Sequence, residues 1–327
     1  MRQELSIPAL MHRCRTEANA YELLEELRWH GHPVCPHCGV IDQATYLRPV
    51  NGTSRATRTG AQSQRRVWKC RDCRRQFSVL TGTIFHGTKI PVRTWVLVVL
   101  EMCASKNGVA AREIERKYDL TAKSAWFMLH RIREAMKREP LAGLLSGTVV
   151  ADETWIGGKP KNKHGSRYGH CTVRSSIEDK TAVLSLVHKE SGEIRSHVVP
   201  DVTAATLRKV IADHVAMESS DLHTDTSRSY AHVSREFRSH ETVNHFRAEY
   251  VRGDVSTNQA EGYFAQLKRS IDGTHHHISV AHLSRYLAQH DFLRSTFELS
   301  DTARMRVLVA QTGGRRLTYK PLTAGHG

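Results

Sequence analysis

Apolar residues recur at helical spacing near the N-terminus and again around residue 100. The first stripe stops before Gly31 and consists of Tyr21, Leu23, Leu24, Leu27 and Trp29. Because three- and four-residue steps place side chains on one face of a helix, this spacing predicts a helix over residues 20–30. The segment 91–104 is apolar almost throughout, which predicts a buried helix with Pro91 in its first turn.

Two further helices are predicted over residues 110–118 and 122–138, with a three-residue link that ends at Thr121, a capping residue. Three helices with a tight turn before the last are typical of a helix-turn-helix, which inserts its last helix into the major groove of DNA. The basic and polar residues of that helix include Lys123, Ser124, His130, Arg131, Arg133, Lys137 and Arg138. We expect it to bury one face and to contact DNA with the other, through Lys123, Ser124 and Arg131. A solvated face of a helix bundle is the alternative.

Beyond Gly143 the period of the apolar positions changes from helical to strand-like. Strands are predicted over 147–156, 181–188 and 193–199, the last two joined as a hairpin. They are followed by a helix over 203–217, a short strand over 221–224 and a helix-rich region over about 258–295. Strands followed by alternating helices predict a mixed sheet covered by helices, and the chain as a whole is predicted to be an α+β multidomain protein.

The chain is strongly basic. Its 327 residues include 48 Lys and Arg against 33 Asp and Glu, a net charge of +15. Such a surface attracts polyanions, so nucleic acid is the first partner to consider, although charge alone also fits an ordinary basic protein. The sequence has no run of about 18 apolar residues and no signal-peptide pattern, so we expect no membrane contact and a cytoplasmic, nucleoid-associated protein.

Four of the seven cysteines form two CxxC pairs, Cys35 with Cys38 and Cys70 with Cys73. Four thiolates from two tight turns close a tetrahedral shell around zinc, which predicts a zinc ribbon with structural Zn²⁺. The alternative is a set of buried thiols without a metal. His37 and Asp72 lie within the two turns, and with four cysteines available we interpret them as surface residues.

Two aspartates lie at predicted strands. Asp152 belongs to the strand 147–156, and Asp225 directly follows the strand 221–224. Oxygen ligands from separate strands and one helix are able to hold two Mg²⁺ ions about 3.5–4 Å apart, as phosphodiester chemistry requires. A single aspartate after a strand is more often a turn or cap residue, so only the whole set is informative.

The remaining candidate ligands open a predicted helix. Asn258, Glu261 and Lys268 are spaced by three and seven residues, close to one and two helical turns, and therefore share a face. We expect Glu261 to bind metal, and Lys268 and Arg269 to contact phosphates of DNA.

These residues resemble one family along most of the chain. The matching motifs include Cys35 to Cys38, Cys70 to Cys73, Phe77-Ser78, Thr81-Gly82-Thr83-Ile84-Phe85 with Trp95, Ala125-Trp126-Phe127-Met128-Leu129-His130-Arg131-Ile132-Arg133, Asp152-Glu153-Thr154-Trp155-Ile156-Gly157-Gly158-Lys159 and Thr257-Asn258-Gln259-Ala260-Glu261-Gly262. The chain resembles insertion-sequence DDE transposases with an N-terminal zinc ribbon, the ISXO-two-like family.

The resemblance implies an RNase H-like catalytic fold and Mg²⁺ or Mn²⁺ as catalytic cofactor. It also implies cleavage and strand transfer at the terminal inverted repeats of a mobile element, by a homo-oligomer bound to double-stranded DNA and its target. Asp152 and Asp225 correspond to the first two catalytic ligands. For the third we prefer Glu261, because an anionic oxygen binds Mg²⁺ more strongly than an amide oxygen, with Asn258 as the fallback and Lys268 as the following lysine.

The patterns and the resemblance together predict five parts. They are an N-terminal helical segment (1–30), a zinc ribbon (31–85), a helix-turn-helix (86–140), an RNase H-like DDE catalytic domain (141–298) and a polar, loosely attached tail (299–327). The insertion 46–66 between the two cysteine pairs departs from the family and either contacts DNA or hangs free.

Two other functions share parts of this pattern. A domesticated, catalytically silent transposase would bind DNA through the zinc ribbon and helix-turn-helix alone. A metal-dependent nuclease would cut without joining. A pure DNA-binding protein does not need the three carboxylates in one pocket, so their placement separates it from the two enzymes.

Overall fold

The computed structural model describes residues 5–48, 65–137, 143–157, 180–244, 249 and 251–323. The central part of the predicted insertion, residues 49–64, lies outside the described residues, as do Gly158, Lys159 and Cys171. The chain divides into two compact units. Unit 1 comprises Met1–Met136 and Glu298–Gly327, and unit 2 comprises Lys137–Phe297.

The described helices are α1 (Ile7–Arg13), α2 (Glu17–Trp29), α3 (Val92–Ala104), α4 (Ala111–Tyr118), α5 (Ala122–Met136), α6 (Ala204–His214), α7 (Asn258–Ser270), α8 (Val280–Ser295), α9 (Asp301–Ala310) and α10 (Tyr319–Thr323). The described strands are β1 (Ala44–Tyr46), β2 (Trp68–Cys70), β3 (Gln76–Phe77), β4 (Thr148–Ile156), β5 (Thr181–His188), β6 (Ile194–Val199), β7 (Asp221–Asp225), β8 (Ser239–Val243), β9 (Val251–Arg252) and β10 (Val255–Ser256). None of the described helices is long and apolar enough to span a membrane.

Unit 1 joins a small sheet to a group of helices. Strands β1, β2 and β3 form an antiparallel sheet in that order. Trp29, at the end of α2, packs edge-on against Trp68 of β2 and Phe77 of β3, with ring centroids 5.7 and 5.9 Å away. Glu25 of α2 accepts a hydrogen bond from the Trp68 indole at 2.8 Å. These contacts fix the sheet on α2.

The core of unit 1 lies around α3, whose side chains are buried at nine of thirteen positions. Glu17 of α2 accepts hydrogen bonds from the backbone N–H groups of Val92 and Arg93, at 2.5 and 3.1 Å. These are donors that the first turn of α3 leaves without helical partners, and a carboxylate is favoured there by the helix dipole.

The C-terminal segment is not the loosely attached tail that its polar sequence predicts. Helix α9 packs against α2 and α3 and buries Met305, Leu308 and Val309. Arg304 of this helix donates a hydrogen bond to the backbone oxygen of Cys103. Of its apolar residues, Met305, Leu308 and Val309 share one face, and this face completes the core of unit 1.

Unit 2 contains the mixed sheet that the sequence predicts. Its strand order is β6-β5-β4-β7-β8, with β6, β5 and β4 antiparallel and β4, β7 and β8 parallel. Four of these strands were predicted to within one or two residues. Strand β8 was not predicted, because it carries the mainly polar sequence Ser-His-Glu-Thr-Val and buries only Val243.

Helices cover both faces of this sheet. Leu207 and Ile211 of α6 pack with Val149, Ala151 and Leu222 on one face. On the other face α7 and α8 pack with Val150, Val183 and Val187, through side chains that include Ala260, Tyr263, Phe264, Leu267, Leu283 and Leu287. Because alternate residues of a strand face opposite sides, the two cores define which side of the sheet each polar residue of β4 and β7 faces.

Candidate metal and catalytic sites

The four cysteines of unit 1 form one compact cluster. All four Sγ atoms lie within 4.8 Å of one another, and the Cys35–Cys73 and Cys38–Cys70 pairs are both 3.7 Å apart. A tetrahedron with Zn–S bonds of about 2.3 Å has edges of about 3.8 Å. The donor set and its spacing therefore fit a structural zinc ion.

The two turns that present these thiols are held by backbone hydrogen bonds. In the first, Gly39 donates to the oxygen of Cys35 at 2.9 Å and adopts a φ of 78°, which a glycine tolerates without strain. In the second, Cys70 donates to the oxygen of Arg75 at 3.0 Å. Burial disfavours the Cys35 thiolate, but backbone donors and the neighbouring thiols outweigh this effect and lower the pKa of Cys35 to about 7. His37 and Asp72 are exposed, as predicted.

The sheet of unit 2 brings Asp152 and Asp225 side by side. Strands β4 and β7 are parallel neighbours with Val149 beside Leu222 and Val150 beside His223. The paired register ends at Val150 and His223; continued by two residues it would bring Asp152 level with Asp225, and the charges of both aspartates act on Glu153. Asp152 is two residues beyond Val150, which faces α7, and Asp225 is three residues beyond Leu222, which faces α6. Both aspartates therefore face the α7 side of the sheet.

Glu153 lies behind this pair, on the α6 side of the sheet. Burial raises the pKa of Glu153 to about 7; the Tyr230 hydroxyl opposes this shift, whereas the charges of Asp152 and Asp225 add to it. Tyr230 is fully buried, and burial together with Glu153 raises the pKa of its phenol. Glu153 was not among the predicted site residues. Its position directly after Asp152 in a predicted strand was the available signal, because neighbouring residues of a strand face opposite sides of the sheet.

The remaining predicted ligands lie on α7. Asn258, Glu261, Lys268 and Arg269 are all exposed on this helix, while Ala260, Tyr263, Phe264 and Leu267 pack on the sheet. Strand β10, just before α7, packs against β7 and β8. The Thr257 hydroxyl donates to the Glu261 carboxylate at 3.4 Å. The helix thus carries these side chains on the same side of the sheet as the two aspartates.

Glu261 does not join the two aspartates in a single tight cluster. Within the described parts of the chain, the four cysteines are the one group of three or more such side chains that is compact enough to share an ion. At the start of α7, the Gln259 amide donates to the oxygen of Lys189 at 3.4 Å, and Lys189 in turn donates to the oxygen of Thr148. This end of α7 therefore lies near the beginning of β4, four residues before Asp152.

Helix α7 is locked to the sheet by a buried hydrogen-bond network. The Tyr263 hydroxyl donates to Asp291 of α8 at 2.6 Å. Ser196 of β6 donates to the same carboxylate through its hydroxyl at 2.7 Å and through its backbone N–H at 2.8 Å. Because one carboxylate ties two helices to one strand, the orientation of α7 is fixed independently of any ligand.

Several residues of the predicted basic face of α5 are buried. His130, Arg131 and Arg133 are buried, with exposed fractions of 0, 5 and 1%. Arg131 donates to the backbone oxygen of His86 at 2.7 Å, and its guanidinium lies 5.2 Å from the Trp95 ring centroid. Arg131 is therefore a packing residue and is not available to DNA.

The first turn of α5 has the predicted cap and two accessible polar side chains. Thr121 caps the helix as predicted, because its hydroxyl accepts a hydrogen bond from the Ser124 N–H at 3.2 Å. Lys123 is exposed, and Ser124 is partly exposed. These two are the predicted contacts of α5 that remain accessible.

Two family models and one curated protein match long parts of the chain. Residues 144–294 match the model of the ISXO2-like transposase domain, and residues 15–76 match that of the transposase zinc-ribbon domain. A protein of Halobacterium salinarum, described as an uncharacterized protein in transposable element ISH50, is 27% identical over 291 residues, which cover 86% of this chain and 92% of that protein. By these two matches the chain is similar to ISXO2-like insertion-sequence transposases that carry an N-terminal zinc ribbon.

Proposed function

We propose that this transposase binds the terminal inverted repeats of its element and carries out Mg²⁺- or Mn²⁺-dependent strand cleavage and strand transfer. The observation that supports this most directly is the parallel register of β4 and β7, which, continued by two residues, would bring Asp152 level with Asp225 on one face of the sheet. Two hard carboxylate donors on adjacent strands form the kind of ligand pair that divalent cations prefer.

In this proposal the protein contributes mainly position and charge. When bound, two divalent ions activate the attacking oxygen and stabilise the leaving oxygen of a phosphodiester. Asp152 and Asp225 hold these ions, with Glu261 or Asn258 as the third ligand. Lys268 and Arg269 of α7 are exposed and able to contact the DNA backbone.

The remaining parts of the proposal concern architecture and assembly. A mixed sheet with helices on both faces supports an RNase H-like catalytic domain in unit 2. The short αL turn at Asp119 between α4 and α5 supports a helix-turn-helix in unit 1. We further propose a homo-oligomer on DNA, because two ends must be cut in one event, and a location at the nucleoid.

The test is a cleavage and binding assay with DNA that carries the element's own ends. Asp152→Asn and Asp225→Asn are expected to lose at least about a thousandfold in cleavage rate with Mg²⁺, because each removes one metal-binding charge. Binding to the same DNA should change little. Asp213→Asn, at an exposed position of α6, is the matched control. Full cleavage by either site variant would exclude this catalytic site.

The same assay separates the alternatives. Comparing Glu261→Gln with Asn258→Ala identifies the third ligand, and a larger loss from the latter would reverse the preference for Glu261. A pre-cleaved end distinguishes joining from hydrolysis. Binding by the unmodified protein without any cutting would identify a catalytically silent DNA-binding protein.

A further inference from the structure

The C-terminal arm, defined as residues 314–320, follows α9 and returns along α5. At its start, Gly314 donates to the backbone oxygen of Gly82 at 2.9 Å, and Arg315 donates to that of Glu134 at 2.8 Å. At its end, the Tyr319 ring packs edge-on against Trp126 and Phe127. The arm is therefore fixed at both ends within unit 1.

The spacing of these contacts shows how the arm runs. From Glu134 back to Trp126 is eight helical residues, about 12 Å at 1.5 Å per residue. From Arg315 to Tyr319 is four residues, about 13 Å in extended backbone. Residues 315–318 are irregular and α10 begins at Tyr319, so the arm passes along α5 in the opposite direction, from near Glu134 to Trp126 and Phe127.

The exposure of the residues alternates along the arm. Arg315, Leu317 and Tyr319 are partly buried, whereas Arg316, Thr318 and Lys320 are exposed. Leu322 is 3% exposed and anchors the segment that follows. The outward side of the arm thus consists of two cations and a hydroxyl.

The charge of this surface is uncompensated. The sequence has no Asp or Glu after Asp301. Among the described residues, neither Arg316 nor Lys320 has a carboxylate within ion-pair distance. Burial lowers the pKa of Arg131 to about 10, and the charge of Arg316 contributes to the same shift, so the arm adds positive charge where it is already concentrated.

The arm also meets the accessible end of α5. The Lys123 ammonium lies 4.3 Å from the centroid of the Tyr319 ring. Lys123 is exposed in the first turn of α5, the part of a helix-turn-helix that faces DNA. Because Arg131 and Arg133 of α5 are buried, its own surface offers few phosphate contacts besides Lys123.

We infer that the C-terminal arm completes the DNA-binding surface of unit 1, with Arg316 and Lys320 beside Lys123 contacting the phosphate backbone of double-stranded DNA. The inference rests on the proposed function. It assigns the DNA contacts to residues that the helix-turn-helix pattern does not include.

The experiment measures binding of the full-length, zinc-loaded chain to duplex DNA carrying the element's ends, with Ca²⁺ in place of Mg²⁺ to prevent cutting. The Arg316→Ala/Lys320→Ala variant is expected to bind at least about tenfold more weakly, and the slope of log affinity against log salt should fall by about two. Arg15→Ala/Lys209→Ala removes the same charge from exposed positions on other elements and is the matched control. An unchanged affinity and slope would overturn the inference.

A second variant tests the opposite role. Tyr319→Ala removes the ring that seats the arm on α5 and changes no charge, and we expect it to weaken DNA binding by several-fold. If Tyr319→Ala binds DNA more tightly than the unmodified chain, the arm blocks access of DNA to α5, and the inference is wrong. If the unmodified chain does not bind these ends, the proposed function fails; if it binds and the arm variants match it, only the present inference fails.

Discussion

Neighbouring acidic residues in β4 have different environments. Asp152 faces α7 together with Asp225, whereas Glu153 faces α6 and Tyr230. Burial raises the pKa of Glu153 to about 7, while the two aspartates lie at the side of the sheet where a cation is expected. One step along a strand thus separates a proposed metal ligand from a buried carboxyl group.

The zinc cluster leads to the first prediction. Cys38→Ser or Cys73→Ser is expected to abolish binding of one zinc per chain and to loosen the β1–β3 sheet, because metal affinity is folding free energy in such modules. Zinc content by atomic absorption and the fluorescence of Trp68 measure both effects. Cys14→Ser, outside the cluster, is the control and should retain zinc. Retention of zinc by the two cluster variants would contradict the assignment.

Single residues were predictable where the chemistry depends on local spacing. The CxxC pairs predicted the zinc cluster, since each pair lies within one tight turn. The accessibility of Arg131 was not predictable, because its burial depends on Trp95 and His86, which lie about 40 residues earlier in the chain. A basic residue on a helix has the same local pattern whether it faces solvent or another helix.

Among the elements, β6 and α6 share an unusual contact. His197 of β6 and His214 of α6 stack with ring centroids 4.1 Å apart. Burial, with smaller contributions from His214 and Arg195, lowers the pKa of His197 to about 3. The folded protein therefore keeps this imidazole neutral over a pH range in which the unfolded chain protonates it.

This contact predicts a pH dependence of stability. Between pH 6.5 and 3 the unfolded state binds more protons at His197 than the folded state, so acidification lowers the free energy of unfolding by up to about 1.4 kcal/mol per pH unit. His197→Phe removes this dependence. Between pH 8 and pH 5 we expect the variant to lose about 2 kcal/mol less than the unmodified protein in urea unfolding. The control His232→Phe, at an exposed position, should show the same pH dependence as the unmodified protein. If the free energy of unfolding depends on pH in the same way in all three proteins, His197 is not the residue responsible.

The elements themselves were largely predictable. Helices and strands with a clear apolar period, such as α3 and β5, were predicted to within a residue. Strand β8 was missed, because it lies at the edge of the sheet and carries mainly polar residues. Helix α9 was missed because its apolar residues show no clear helical period, and Thr302 and Arg304 are buried beside them.

At the scale of the whole molecule, unit 1 is built from both ends of the chain. Helix α9 packs on α2 and α3, although the whole of unit 2 lies between these helices and α9 in the sequence. The alternation of apolar residues predicts elements but carries no information about which distant elements meet. The joining of the two termini in one unit was therefore outside what the sequence pattern establishes.

This arrangement predicts a structural role for the C-terminal helix. Leu308 is fully buried, and Leu308→Ala is expected to reduce the free energy of unfolding of unit 1 by about 2–5 kcal/mol. Leu299→Ala, at a position that is 40% exposed, should change it by less than about 0.5 kcal/mol. Urea unfolding followed by tryptophan fluorescence measures both variants, since all five tryptophans except Trp155 lie in unit 1. If the two variants have the same free energy of unfolding, α9 does not contribute to the stability of unit 1.

The insertion of unit 2 within unit 1 has a consequence for synthesis. A ribosome releases the first 136 residues long before it makes α9, so the core around α3 stays incomplete while unit 2 is translated and folds. Helix α9 then closes that core, and the arm along α5 follows it in the chain. A chain that terminates before α9 therefore lacks part of the core of unit 1, and we expect unit 1 of such a chain to be unstable.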